Sequence, residues 1–157
     1  MPFAATGMPD LDAIATGRAA GWVATGRTFS VWAAPSKDVP DFNVPICRFY
    51  IPPAEGDSHF FSASPDECAA VKSRFPEFIL ETMAAFVVAP VYQAYGEVVC
   101  ARYPRSGFTV PVYRVWNGRA DSNHRYTTDR ATRDEMVDKG WIAEGDGPDR
   151  IAFCASW

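Results

Sequence analysis

The segment VPICRFY at residues 44–50 recurs as VPVYRVW at residues 110–116, which lies 66 positions later. A second motif, GDSHFFSAS at residues 56–64, recurs as DSNHRYTTD at residues 121–129 with an offset of 65. Each pair of motifs is followed by a helix-like stretch and then by an aromatic-led segment. Because the order and the spacing of these features persist, the pattern predicts an internal repeat.

The repeat divides the 157-residue chain into units. Residues 44–89 and 110–157 form two full repeats, and residues 90–109 form an irregular connection between them. Residues 21–32 match only the back half of a unit and form a partial repeat. A chain of this length supports one domain with a sizeable core, so we predict a single domain over residues 1–157.

Each full unit predicts one short helix with recognisable ends. In the first unit Ser64 is a favourable N-cap, Pro65 suits the first helical position and Glu67 completes a capping box. In the second unit Asp129 occupies the cap position. Gly140 follows the C-terminal end, where left-handed backbone is needed.

The segments around the helices predict strands. Residues 46–50 and 112–116 show the two-residue period of half-buried strands, in which Arg48 shares one side with Ile46 and Tyr50, and Arg114 shares one side with Val112 and Trp116. The unit is therefore read as strand, strand, helix, strand, strand. We predict a β-rich α+β fold, in which trefoil-like pseudosymmetry is favoured and a β-sandwich is the rival.

Charge and hydropathy exclude two classes of partner. The chain carries 15 Lys and Arg against 19 Asp and Glu, for a net charge of −4, which argues against a nucleic-acid partner. The longest apolar run, residues 83–89, has seven residues, whereas a membrane helix needs about twenty, so we predict no membrane insertion. The first twenty residues lack a basic start and a long apolar stretch, so we expect any secretion signal to be absent or removed.

The four cysteines show no CxxC pair and few histidines accompany them, so we predict no metal and no cofactor. An even number of cysteines favours two disulfides in an oxidising compartment, with four buried free thiols as the alternative. Cys47 and Cys68 flank the front half of the first full unit, while Cys100 lies in the connection and Cys154 in the last strand. We predict the pairs Cys47–Cys68 and Cys100–Cys154.

The second unit carries the motifs VYRVWN at residues 112–117, NHRYTTD at 123–129, KGWIAEG at 139–145 and IAFC at 151–154. They resemble a bacterial repeat family of unknown function, written V-Y-R-F-Y-N, H-F-Y-T and G-W-x-x-E-G-x-A-F. Members are often found toward the C-terminus of exported hydrolases. The resemblance implies an extracellular or periplasmic location, which supports the disulfides, and an accessory role beside a neighbouring enzyme domain.

Aromatic residues, at 14% of the chain, stand beside polar residues at several predicted turns. A sugar ring has an apolar C–H face and a polar rim, so such pairs suit a glycan or cell-wall polysaccharide. We therefore predict a non-catalytic secreted binding module, with a better site in the second unit and a weaker one in the first. The candidate binding residues are Trp116, Asn117, Asn123, His124 and Tyr126, with Tyr50, Asp57, His59 and Phe61 as their counterparts.

Repetition argues against catalysis. His59 and His124 recur at matching positions, as do Glu81 and Glu144, and equivalent positions supply the same environment twice, whereas an acid–base pair needs two different ones. No G-x-S-x-G nucleophile motif is present. We predict no enzymatic activity. A structural or protein-interaction domain is the main alternative to glycan binding, and a small hydrolase is a weaker one.

Overall fold

The computed structural model describes residues 29–35, 43–103 and 107–156, which contain ten strands and two α-helices. The strands are β1 (Asn43–Ile51), β2 (Ser58–Ser62), β3 (Ile79–Val88), β4 (Val91–Tyr92), β5 (Val98–Val99), β6 (Arg102–Tyr103), β7 (Gly107–Trp116), β8 (His124–Thr127), β9 (Ile142–Glu144) and β10 (Ile151–Ser156). The helices are α1 (Pro65–Arg74) and α2 (Arg130–Asp138). The predicted β-rich α+β class is confirmed. Residues 21–28 of the predicted partial repeat lie outside the described residues.

Eight strands form one antiparallel sheet, in which β2, β1, β3, β10, β7 and β6 follow one another. β1 is the centre of one half, because it pairs with both β2 and β3. β7 is the centre of the other half. Its C-terminal residues pair with β8 along one edge, while β10 and then β9 pair along the opposite edge. β4 and β5 form a separate two-stranded sheet.

Side-chain hydrogen bonds join β2 to β8. The Tyr126 hydroxyl accepts from the Phe61 N–H at 2.7 Å and donates to the Phe61 carbonyl at 3.1 Å. The His124 N–H donates to Ser58 Oγ at 3.3 Å. Because β2 and β8 stand at opposite ends of the path β2-β1-β3-β10-β7-β8, these bonds close the path into a ring. We call this junction the β2–β8 seam.

The described residues form three buried clusters, of which two show how the ring and α1 are held together. One is formed by strand residues that include Ile46, Val87, Val112 and Phe153, all at most 5% exposed. The other lies beneath α1, where Val71 packs with apolar side chains of β1 and β2. The helix is thus anchored on the first half of the sheet.

Both disulfides form as predicted. Cys47 on β1 is bonded to Cys68 on α1, and Cys100 after β5 is bonded to Cys154 on β10. The alternative of four free thiols is therefore excluded. Two disulfides are typical of proteins from an oxidising compartment. No helix among the described residues is long and apolar enough to span a membrane.

The predicted helix ends are largely confirmed. The Ser64 side chain accepts from the Glu67 N–H at 3.3 Å, and Asp129 accepts from the Ala131 N–H at 2.9 Å. Gly140 has a φ of 91°, as a residue following a helix end requires. The capping box is wrong in one respect. The Ser64 N–H donates to Ser62 Oγ, so the Glu67 carboxylate is not used in the cap.

The prediction of two strands after each helix holds for the second half only. After α1 a single strand, β3, runs for ten residues, and its sequence contains no glycine. After α2 the chain forms two strands, β9 and β10, which are separated by a turn. Gly145 has a φ of 124° there, and an added Cβ would approach the Ile151 backbone to 2.7 Å, so a tight turn forms instead. The predicted irregular connection contains the short strands β4, β5 and β6. Trefoil-like pseudosymmetry stays a prediction.

In sequence, Trp22 and Trp141 begin equivalent segments of the repeat, which predicts core packing for both. Trp22 lies outside the described residues. Trp141 is half-buried rather than enclosed, and the Arg125 guanidinium lies over its ring at 5.3 Å. A cation over an indole face stabilises a partly exposed tryptophan without burying it. The core expectation for Trp141 is therefore wrong.

Candidate functional site

A cavity of about 550 Å³ lies between helix α1 and the loop that joins β7 to β8. We call it the α1–β7 groove. It combines aromatic rings with carboxylates, arginines and one histidine. Its lining residues are Glu55, Phe60, Glu67, Ala70, Val71, Arg74, Phe75, Glu77, Phe78, Trp116, Arg119, Ala120, Ser122, His124 and Glu144.

The α1 wall is fixed at both ends of the helix. Near the start, the disulfide of Cys68 ties the helix to β1, and Val71 is buried one turn later. At the end, Phe75 is the C-cap residue, and Pro76 prevents the helix from continuing. The chain then turns so that Phe75 and Phe78 stack with their ring centres 4.9 Å apart. Phe75 remains 39% exposed, so this pair presents an aromatic surface to the groove.

The opposite wall depends on Asn117. Its Oδ1 accepts from the Asn123 N–H at 3.1 Å, and its Nδ2 donates to the Asp121 carbonyl at 2.7 Å. These bonds shape the loop between β7 and β8. Trp116 is held in turn, because its Nε1–H donates to Ser122 Oγ at 3.1 Å. Asn117 and Asn123 therefore build the loop, while Trp116 lines the groove.

Arg114 organises the floor of the groove. It is 3% exposed, and its guanidinium lies over the Phe60 ring at 4.5 Å. Nη1 and Nη2 donate to the two oxygens of Glu67, with Nη1 to Oε2 at 3.0 Å. Nε donates to Glu144 Oε2 at 2.9 Å, and Nη1 also donates to the Phe61 carbonyl at 3.1 Å. One cation therefore links α1, β2, β7 and β9.

The two carboxylates bound by Arg114 differ in acidity. Burial alone would raise the pKa of Glu67, but the hydrogen bonds and positive charge of Arg114 outweigh burial and lower the pKa below its ordinary value. For Glu144, burial outweighs the same cation and raises the pKa above its ordinary value. Glu144 is thus the less fully compensated of the two negative charges.

His124 is neutral at physiological pH. Burial, and then the positive charge of Arg114, lower its pKa to about 4. Its ring stacks on Trp116 at an interplanar angle of 16° and meets the edge of Phe60 at 5.1 Å. Nε2 lies 3.5 Å from Glu144 Oε2, whereas Nδ1 has no hydrogen-bond partner among the described residues. We therefore assign the proton to Nε2, facing Glu144.

A similar trio lies in the first half of the sheet. Arg48 Nε is 2.7 Å from Glu81 Oε2, and His59 Nε2 is 3.2 Å from the same oxygen. All three side chains are at most 8% exposed. Burial lowers the pKa of His59. The Tyr50 ring lies 5.2 Å from the His59 ring, and its hydroxyl donates to Asp57 at 2.9 Å.

Residues 10–149 match a protein family described as a domain of unknown function (DUF5648). The chain belongs to this family. The predicted resemblance to a family of unknown function is confirmed at this level. No curated protein and no solved structure matches the chain.

The candidate residues of this DUF5648 chain are not brought to one place. Trp116 and His124 line the groove, whereas the other seven are not among its lining residues. Tyr126 and Phe61 bond to each other in the β2–β8 seam. No group of three or more His, Cys, Asp or Glu in the described part of the chain is placed to hold a metal ion.

The sequence reasoning missed the α1 side of the groove. The capping pattern predicts a helix-cap role for Glu67, and the predicted binding residues include neither Phe75 nor Phe78. A usable signal exists in Phe75-Pro76-Glu77-Phe78, where two aromatic residues flank a proline and a carboxylate directly after a helix. Such a segment leaves the helix axis abruptly, and its side chains become available to a neighbouring element.

Proposed function

We propose that this chain is a non-catalytic binding module for carbohydrate or cell-wall glycan, and that the α1–β7 groove is its binding site. The observation that carries the proposal is the composition of the groove. Trp116, Phe75 and Phe78 supply aromatic surface, while Glu77 and Arg119 supply polar groups beside it. Sugar rings are recognised by this combination, because their C–H face packs on an aromatic ring and their hydroxyls need directed partners.

We further propose that the two halves of the sheet are copies of one repeated unit. Tyr50 pairs with His59 across β1 and β2, and Trp116 pairs with His124 across β7 and β8. On the other edges, Tyr50 faces Ile79 and Trp116 faces Ile142. These equal registers support the repeat. The groove lies between the units, so we propose one shared site in place of a site in each.

We propose that the chain acts outside the cell or in the periplasm, as in the bacterial exported proteins that its motifs resemble. The disulfides Cys47–Cys68 and Cys100–Cys154 support this location, since such bonds persist in oxidising compartments. A glycan or cell-wall polysaccharide would be available there.

Two features support a non-catalytic role over a small hydrolase. Both oxygens of Glu67 accept from Arg114, and Glu144 accepts from the same guanidinium. A glycosidase acid must release a proton to the substrate, and its partner carboxylate must reach the sugar or a water. Carboxylates that accept hydrogen bonds from one buried cation are not placed to exchange a proton with a substrate. When the protein is incubated with an oligosaccharide that it binds, mass spectrometry should show that the oligosaccharide keeps its length.

The test compares two tryptophans of the second unit. Titration calorimetry with a panel of soluble plant, fungal and bacterial cell-wall oligosaccharides should identify at least one ligand. Trp116→Ala should abolish its measurable binding, because Trp116 lines the groove. Trp141→Ala is the matched control, since Trp141 is also half-buried but is not among the lining residues. Equal loss in both variants, or no ligand for the parent protein at millimolar concentration, contradicts the proposal.

A protein-interaction role, in which the domain attaches to a neighbouring enzyme, is the second candidate. Its support is an apolar surface after α1, where Phe75, Ile79 and Leu80 are 39%, 54% and 41% exposed. Adjacent exposed apolar residues are typical of interaction surfaces. If no glycan binds, Ile79→Lys should instead weaken association with the partner enzyme domain in a pull-down.

A further inference from the structure

The α1–β7 groove has an excess of negative charge. Glu55 and Glu77 line it, and neither forms an ion pair with a cation in the described parts of the chain. Arg119 also lines the groove, but its Nε lies 2.7 Å from Asp121, which offsets its charge. Arg74, the remaining lining arginine, therefore supplies one positive charge against the two carboxylates of Glu55 and Glu77.

The floor adds to this excess. Arg114 carries one positive charge and binds two carboxylates, Glu67 and Glu144. His124 adds no charge at neutral pH, because burial and the nearby Arg114 lower its pKa to about 4. Glu144 is 27% exposed and lines the groove, so its incompletely compensated charge is within reach of a ligand.

The aromatic rings favour the same sign of ligand charge. The face of an aromatic ring carries partial negative charge and attracts cations, with Trp the strongest. Trp116, Phe75 and Phe78 therefore reinforce the carboxylates. This groove would repel an acidic sugar. A neutral sugar would form no ion pair with the carboxylates of the groove.

We infer that the α1–β7 groove selects glycans bearing protonated amino groups, such as polymers of glucosamine that lack the N-acetyl group. The inference rests on the proposed glycan-binding function and names its ligand class. The sugar ring packs on the aromatic surface, and the ammonium group lies near Glu77 or Glu144. No covalent step is involved.

The test uses four probes of equal length: oligomers of glucosamine, N-acetylglucosamine, glucose and lysine. At pH 6 and low salt, the glucosamine oligomer should bind about tenfold more tightly than the N-acetylated one. The advantage should shrink as salt rises, because ions screen partly exposed charges. Glu77→Gln should reduce the ratio of the affinity for the glucosamine oligomer to the affinity for the N-acetylated oligomer. Glu97→Gln, an exposed residue outside the groove, should leave that ratio unchanged.

Three outcomes would overturn the inference. If the N-acetylated or the glucose oligomer binds as well as the glucosamine oligomer, the selection for amino groups is wrong and the glycan-binding function stands. If the lysine oligomer binds as tightly as the glucosamine oligomer, charge alone is recognised and no sugar selectivity exists. If no saccharide probe binds, and the wider oligosaccharide panel also fails, the proposed function falls together with the inference.

Discussion

The buried ring of His124 makes the stability of the folded protein depend on pH. Its pKa is about 4 in the folded protein against 6.5 for an ordinary histidine. Between these values the unfolded chain binds a proton that the folded protein excludes, so stability falls as pH drops. Arg114, Glu67 and Glu144 face the ring, and the repulsion by Arg114 adds to the effect of burial.

We expect His124→Gln to lose less stability on acidification than the parent protein. Above pH 6.5 the histidine is neutral in both states, and below about 4 its contribution is constant. The stability advantage of the parent over the variant should therefore shrink by about 3 kcal/mol between pH 7 and 4. Urea unfolding at four pH values measures this difference. A difference that stays constant with pH would show that His124 is not held neutral.

The role of single residues was predictable where repetition exposed it. His59 and His124 recur at an offset of 65, which predicts matching environments, and each lies against a carboxylate of its own half of the sheet. Glu67 was not predictable in this way. Its partner Arg114 is 47 residues distant, and a local capping pattern offered a nearer explanation for the same carboxylate.

At the scale of elements, the buried residues Arg48 and Arg114 each join their own strand to another element, and their carboxylate partners differ in exposure to water. Arg48→Met should lower the free energy of unfolding at pH 7 by about 3 to 5 kcal/mol, because it leaves Glu81 in a site where it is 7% exposed. Arg114→Met should cost less, about 2 to 3 kcal/mol, because Glu67 is 37% exposed and can regain water. Equal losses in urea unfolding, or the reverse order, would contradict this account.

Tyr126 supplies two of the three hydrogen bonds described for the β2–β8 seam. Tyr126→Phe should lower the free energy of unfolding by about 1 to 3 kcal/mol, because the Phe61 N–H loses its partner and the Phe61 carbonyl keeps only the bond from Arg114. The Phe61 amide should also exchange faster with solvent in NMR experiments. Tyr95→Phe is the control, because Tyr95 is fully exposed and should change neither quantity. An unchanged Phe61 exchange rate in Tyr126→Phe would mean that the seam does not protect this amide.

Helix ends were predictable from sequence because capping is local. Ser64, Asp129 and Gly140 act within a few residues of their own positions. The number of strands after each helix was less predictable, since it depends on whether a turn is sterically available. Gly145 permits that turn in the second half, whereas β3 has no glycine and continues.

At the scale of the whole molecule, both disulfides should contribute to stability, but only Cys47–Cys68 should contribute to ligand binding. Each cross-link restricts the unfolded chain, and sequence separations of 21 and 54 residues correspond to about 3 and 4 kcal/mol. Replacing Cys47 and Cys68 by alanine should also weaken ligand binding, because this bond fixes α1 at the groove. Replacing Cys100 and Cys154 should reduce stability while leaving affinity unchanged. Calorimetric titration of both double variants measures this, and equal affinities would contradict the proposed role of α1.

The fold class and the disulfide pairing were predictable, whereas the groove was not. Strand alternation and cysteine placement are properties of nearby residues or of whole units. The groove instead joins Phe75, at the end of α1, to Trp116, at the end of β7. Their proximity follows from how the ring closes, and no local pattern in either segment encodes that closure.

Ring closure also bears on how the protein behaves at high concentration. A strand with free backbone groups on its outer side is a template for pairing with another chain, which leads to domain exchange or aggregation. The phenol of Tyr126 bonds to the N–H of Phe61 on β2 and shares the Phe61 carbonyl with Arg114, so neither group is open to a foreign strand at that point. A side chain that completes the ring thereby also keeps neighbouring molecules apart.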